Sequence, residues 1–328
     1  MQDLMDGKAS LDELISNDLF VDQNKKKEFV SSSYIHKLQL KHFILFNVAP
    51  PILALLLGGY LFLSSQLVLS KVELFTAIVF WAISGLGITV GYHRLFTHKS
   101  LKVIRPTKFV LHALGLIAGQ GGAISWAALH RQHHKYSDKE GDPHSPNLNG
   151  EGFINVSQGI AHSHFTWMRK HRYPNVLHYV PDLIMDRDMI FMDRHYNKIF
   201  FVGLIFPGLI SYLFVSTPAA FLSGILVGGL VRVVLTGNTI WAINSFLHRF
   251  GTRPFDTNDK SRNLALISPI SFGEAWHNNH HAFPGSAAFG LKWYEFDPGY
   301  YLIKFLELVG LASDVKKPTK QQILVKQD

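Results

Sequence analysis

Four stretches of the chain are apolar for long enough to cross a bilayer. Residues 43–63 run 21 positions without a charge, about 30 Å of helix and so about one hydrocarbon core. Pro50-Pro51 inside this run predicts a kink, which a membrane helix tolerates. Residues 74–92 form a second run, and residues 199–215 and 219–247 a third and a fourth, joined by the uncharged Ser216-Thr217-Pro218. A further apolar piece, residues 109–129, carries His112, Gly115, Gly119, Gln120, Gly121 and Gly122. It is read as an in-plane or re-entrant helix, because a crossing there would put the polar clusters at its two ends on opposite faces of the membrane.

These runs predict an all-α integral membrane protein. Residues 1–42 form a polar tail with room for one short helix. Residues 43–312 form a membrane domain with spans at about 43–63, 74–92, 199–215 and 219–247, and a helical cap from 93–198 and 248–312. Residues 313–328 form a second tail. Six lysines precede Phe43, whereas the linker between the first two runs carries only Lys71 and Glu73. The positive-inside bias then makes the N-terminus cytoplasmic, and an even number of crossings returns the cap and the C-terminus to the same side. Residues 1–30 have no apolar core behind basic residues, so no cleaved signal peptide is expected.

Composition agrees with a membrane setting. Hydrophobic residues make up 47% of the chain and charged residues 17%, too apolar a balance for an ordinary soluble surface. The net charge of +8 raises a nucleic-acid reading, but the basic residues are scattered among apolar spans and no recognition motif appears. The glycine groups Gly85-Leu86-Gly87 and 119–122 lack the spacing of a dinucleotide fingerprint and are better read as easing helix contact. With no cysteine, the chain cannot hold a disulfide, a thiolate zinc site or an iron–sulfur cluster.

Histidine carries the chemistry. Of 18 histidines, eight fall in three clusters at the aqueous edges of apolar segments: His93 and His98; His130, His133 and His134; His277, His280 and His281. Spacings of three and four gather side chains on one side of a helix. Neighbours such as His133 and His134 diverge by about 100°, and His93 and His98, five apart, by about 140°. Such neighbours are more easily shared between two ions than crowded on one, and His93 and His98 either serve different ions or sit where the helix ends; the set fits two metals with four or five ligands each. Imidazole suits zinc, copper, iron and nickel alike. Glu274 could serve as the base of a zinc hydrolase. A site at the membrane edge beside a long apolar interior instead suggests an alkyl chain, whose unactivated C–H bonds require an oxidant made from dioxygen, and this favours iron. Asn244 and His248 lie four apart in the last apolar run, where polar groups are functional by default.

The three clusters resemble the histidine boxes of the integral-membrane fatty acyl desaturases. The likeness is strongest to the acyl-CoA Δ9 (stearoyl-CoA type) branch, and runs from about residue 40 to 312. Supporting stretches are residues 87–95, 126–131, 244–248 and 273–281. The resemblance implies four transmembrane helices under a cytosolic cap that holds two iron ions. The implied ligands are His93, His98, His130, His133, His134, His248, His277, His280 and His281, with Asn244 acting through water. It also implies that Trp126 lines an acyl tunnel near its bend. Arg131 and the pair Arg169-Lys170 would contact the headgroup of an acyl-CoA or another acyl carrier. The implied reaction leaves a cis double bond in a saturated acyl chain, using O2 and two electrons. No flavin, nicotinamide or haem motif is visible in the chain. The electrons are therefore expected from an external donor: a ferredoxin, a small cytochrome or a flavoprotein reductase. Chain length would be set by the tunnel floor, near Ala77. His144, His162 and His164 are candidates to hydrogen-bond the ligands, while His36, His42, His112, His171, His178 and His195 are read as packing or surface residues. Two other functions fit histidine-rich membrane proteins: a di-iron hydroxylase of alkyl, acyl or sterol substrates, and a metal transporter with its ligands at mid-membrane.

Overall fold

The computed structural model describes residues 28–169 and 171–327. The lysine run 25–27, the rest of the first 27 residues and Lys170 lie outside the described residues. Among the described residues, four helices are long and apolar enough to cross a membrane: α1 (Ser33–Leu63), α2 (Lys71–Thr97), α7 (Tyr196–Val215) and α8 (Pro218–Phe246). Between α2 and α7 come α3 (Arg105–Leu116), α4 (Ala123–Tyr136), α5 (Phe153–His164) and α6 (Arg187–Arg194), and after α8 come α9 (His277–Ala282) and α10 (Pro298–Leu308). The apolar piece 109–129 is not one continuous helix. Its helix stops at Leu116, and Gly119 and Gly121 turn the chain at φ values of +77° and +89° before α4 begins. Only glycine adopts such values without strain.

Local chemistry sets the helix ends. Ser32 accepts the Ile35 N–H at 3.1 Å and starts α1 ten residues before the apolar run, so residues 33–42 form the short helix that the tail had room for, continuous with the first span. Ser70 and Glu73 form a capping box at the start of α2, in which the Glu73 carboxylate accepts the Ser70 N–H at 2.8 Å. Pro50 and Pro51 follow a π-helical stretch, Phe43–Val48, which falls where their missing N–H groups break the α pattern.

Glycines bring α2 and α3 together as the sequence suggested. A Cβ on Gly87 would overlap the backbone of Leu114 and Gly115, and one on Gly115 would overlap the Tyr92 ring. Buried Arg94 on α2 forks onto Asp297 (2.8 and 3.1 Å) and donates to Ala287 O at 2.8 Å, tying the C-terminal loops to the second span. Phe29–Val30 pairs antiparallel with Tyr173–Pro174, and Lys102–Val103 with Ala312–Ser313.

Candidate metal centre

The C-terminal end of α2, the helix α4, the turn after α8 and the short helix α9 meet at one end of the bundle. They bring nine histidines into two adjoining groups. His93, His98, His130, His134 and His280 form one; His133, His248, His277 and His281 form the other. Neighbouring residues are divided between groups, His133 from His134 and His280 from His281, as their divergence around a helix requires.

His93 and His98 share a group and sit where the helix ends, His93 in its last turn and His98 as its C-cap. The end of α2 is π-helical over Gly87–Thr97, and the His98 N–H donates to His93 O at 3.1 Å, an i to i+5 bond. The wider turn stacks residues five apart, where an α-helix would send them about 140° apart.

Inside each group the ring nitrogens face one another. Nε2 of His93 and His280 are 3.0 Å apart, those of His134 and His130 2.9 Å, those of His134 and His280 2.9 Å, and those of His248 and His277 3.0 Å. Neighbouring ligands on one ion, each about 2.1 Å from it, stand about that far apart. Nε2 of His98, His133 and His281 is buried with no partner. All nine are nitrogen donors, and the arrangement fits metal.

Burial holds His98, His130, His134, His277 and His280 well below the ordinary imidazole pKa, so these rings are neutral near pH 7, the form that ligates. Burial also brings His281 down to about 4, against the opposing effect of the hydrogen bond it donates to Asp259. His133 goes the other way: burial would lower it, but the charge and hydrogen bond of Asp142 raise it.

Carboxylates orient four of the rings. Nδ1 of His93 meets Glu274 at 2.6 Å, that of His133 meets Asp142 at 3.0 Å, that of His248 meets Asp138 at 2.8 Å and that of His281 meets Asp259 at 2.8 Å. An acceptor at Nδ1 turns Nε2 inward and raises its basicity. Glu274 also accepts from Thr89, so it serves as an anchor for His93. The three aspartates were not foreseen. The usable signal was chemical: a ligating imidazole needs an acceptor for its other N–H, and Asp138 and Asp142 lie just beyond the second cluster.

A cavity of about 450 Å³ runs past the centre. His93 and His130 of one group and His277 of the other line it, with Trp126 and Asn244 beside them. His144 also reaches it and packs over His133 at a centroid distance of 4.4 Å. His164 does not approach the ligands: it bonds Ser245 at 3.0 Å and Asn238 at 3.1 Å and ties α5 to α8. His112 pairs with Asp193 at 2.9 Å, and that carboxylate accepts the first N–H groups of α4, from Ala123 and Ile124, each at 2.9 Å.

Arg131 is engaged within the protein. Its guanidinium donates to Thr97 O (3.0 Å), Phe96 O (3.1 Å), Tyr179 O (2.9 Å) and both Asp182 oxygens (2.7 and 3.1 Å). Those five bonds engage the whole fork, and the residue locks α4 to the end of α2. Arg169 is exposed at the end of a short 3₁₀ turn.

Four apolar helices under a helical cap, with two histidine groups able to hold metal, define an integral-membrane protein of the histidine-box class. The chain belongs to the fatty acid desaturase family, whose model, described as "Fatty acid desaturase", matches residues 72–305. It is 42% identical over 306 residues to the Hex-5-enoyl-(acyl-carrier protein) acetylenase of Moorena producens (strain JHB), covering 93% of this chain and 94% of that one. It is 38% identical over 250 residues to Delta-9 acyl-lipid desaturase 2 of Arabidopsis thaliana, 76% of each chain. It is 36% identical over 239 residues to the Probable acyl-CoA desaturase of Schizosaccharomyces pombe, 72% of this chain and 47% of that one. The similarity is to the Δ9 branch of the family.

Proposed function

We propose that the protein is a membrane fatty acyl desaturase that removes two hydrogens from adjacent methylenes and leaves a cis double bond. The observation that carries this reading is the cavity that touches both histidine groups at once. The balance is one saturated acyl chain, O2, two electrons and two protons in; one monoene and two waters out. Bound at the nine histidines, iron would supply the oxidising power, drawn from dioxygen, that an unactivated C–H bond requires. Asn244, on the cavity wall, would reach the four-histidine group through water. Trp126 stacks on His130 at 5.0 Å and 11° and forms one side of the channel that holds the chain. The protein's own share is positioning, since the carbons held against the centre are the ones that react.

The relatives' names point to three carriers, CoA, acyl carrier protein and lipid, and we infer an acyl thioester or lipid in this range. With Arg131 engaged internally, the headgroup reading rests on Arg169 and Lys170. The histidines gather at one end of the bundle and not along a span, which speaks for an enzyme over a transporter. A second reading comes from the Moorena relative named as an acetylenase: the same removal from an existing double bond would give a triple bond. Electrons would come from an external ferredoxin, small cytochrome or flavoprotein reductase, and the cap and both termini would face the cytoplasm.

Expression in a desaturase-deficient host, with lipid analysis of the wild type and His280→Ala, tests the reading. New cis-monoenes from the wild type alone are expected. A hydroxylated chain without an alkene, or identical profiles, would overturn it, and an alkyne formed only from unsaturated precursors would select the acetylenase.

A further inference from the structure

The histidine centre has two sides. His93, His130 and His277 line the cavity, on the side that the proposed alkyl chain occupies. His98, His134 and His281 lie outside that lining and form a row. The His98 and His134 rings are 4.8 Å apart, and the His134 and His281 rings 4.5 Å. The other six histidines are buried, whereas these three residues are half-buried, although Nε2 of His98 and of His281 stays covered. The row is therefore where the centre comes nearest to solvent. It draws on both groups, because His98 and His134 belong to the first and His281 to the second.

The C-terminal segment is laid along this row. Ala312–Ser313 pairs with Lys102–Val103. The Lys316 N–H then donates to Ser100 O at 2.8 Å and its ammonium to Lys99 O at 2.8 Å, two positions and one position past His98. After the short helix Lys320–Val325, the Lys326 ammonium donates to Ala282 O, next to His281, and stands 5.0 Å from the centre of the Phe283 ring. The segment so runs from beside one end of the row to beside the other.

Its charge is one-sided. Residues 314–327 hold four lysines and a single acid, Asp314, which pairs with Lys102 at 3.1 Å. Lys316, Lys317, Lys320 and Lys326 are all exposed, and among the described residues none of them has a carboxylate partner. Several cations elsewhere on the cap are paired: Lys99 and Arg131 with Asp182, Arg105 and Lys108 with Asp188, Lys135 with Glu28. A run of unpaired like charges steers an oppositely charged partner to its surface.

We propose that this lysine-lined segment, laid along the row of His98, His134 and His281, is the docking surface for an acidic protein that carries one electron at a time. This rests on the desaturase reading and places its electron donor. Two reduced carriers dock in turn for each turnover. Each gives one electron to the centre and leaves oxidised, and the two protons of the balance come from water. Electrons and alkyl chain thus reach the centre from different sides, and neither has to leave for the other to arrive.

The test uses the full chain in nanodiscs of neutral lipid. The acidic probe is a plant-type two-iron ferredoxin, and a basic c-type cytochrome is its opposite. Carbodiimide joins lysine amines directly to ferredoxin carboxylates, and the joined peptides are mapped by mass spectrometry. They should fall on Lys316, Lys317, Lys320 and Lys326. Ferredoxin binding should weaken at least about tenfold as salt rises to about 0.3 M, where screening acts within roughly 6 Å, and the cytochrome should not bind. The triple variant Lys317→Glu, Lys320→Glu, Lys326→Glu should lose at least about tenfold in ferredoxin affinity, while Lys37→Glu with Lys41→Glu on α1 should change it by less than about twofold. Joined peptides concentrated at Lys37, Lys41 or Lys198 overturn the proposal, even if every variant misfolds. So does binding indifferent to salt, or a folded triple variant that binds ferredoxin as the wild type does. Ferredoxin held at this segment with no acyl chain altered would leave the docking surface standing and reject the desaturase reading.

Discussion

At the residue scale, the histidines could be read from the sequence and their carboxylates could not. Histidine is uncommon enough that eight in three tight clusters stand out. Asp138, Asp142 and Asp259 look like ordinary loop acids until folding places them 2.8–3.0 Å from a ring Nδ1. Asp142 is buried and sits at about 2: burial would raise it, but the His133 charge and hydrogen bond lower it further. Asp142→Asn removes the charge that orients His133. It should weaken iron binding about 10- to 100-fold, as losses of such anchoring partners generally do. Retention of iron against graded chelator, measured by elemental analysis, checks this. Arg131 was legible as a basic residue inside the second cluster, but the five acceptors that surround its fork come from other segments of the chain and were not.

At the element scale, the four spans were legible because each needs only length and apolarity. The helix type was not. Spacing arguments assume 3.6 residues per turn, and the π stretch Gly87–Thr97 violates that where it brings His93 and His98 together. Residues 28–42 form a strap held to the cap through Glu28 and Gln39, where the sequence shows only a polar tail with room for one short helix, because the residues before Phe43 are polar. Gln39 on α1 reaches the His171 carbonyl at 3.1 Å, and Glu28 accepts from Tyr136 at 2.6 Å and Tyr179 at 3.0 Å and pairs with Lys135 at 2.8 Å. Burial would raise the Glu28 carboxyl, but its hydrogen bonds from Lys135, Tyr136 and Tyr179 outweigh that and hold it at about 2. A depressed carboxyl stabilises the fold above its ordinary value of 4.5, and the contribution is lost as pH falls from there towards about 2. Hydrogen exchange in residues 29–40 should therefore quicken across that window in the wild type and be already fast at pH 7 in Glu28→Gln. Equal protection in the two proteins at pH 7 would detach Glu28 from the strap.

At the scale of the whole molecule, topology brings together groups that are nearly 190 positions apart in the chain, His93 and His281. An even number of crossings and an in-plane α3 were enough to expect that convergence. What could not be expected was which side chains of the cap, Phe272 among them, reach the cavity. Sidedness can be tested directly, because the chain has no native cysteine. A single cysteine at Lys139, beside the centre, should react with an impermeant thiol reagent only from the cytoplasmic side. One at Ser65, between α1 and α2, should react only from the other side. Labelling of both from one side would break the proposed topology.

The central claim is that the nine histidines form two metal positions within one chain. Iron counted per polypeptide in the purified, folded protein tests it most directly. The account predicts two irons in the wild type, and clear loss on replacing either His280 from the first group or His277 from the second. One iron or none in the wild type, or full retention in both variants, would contradict it.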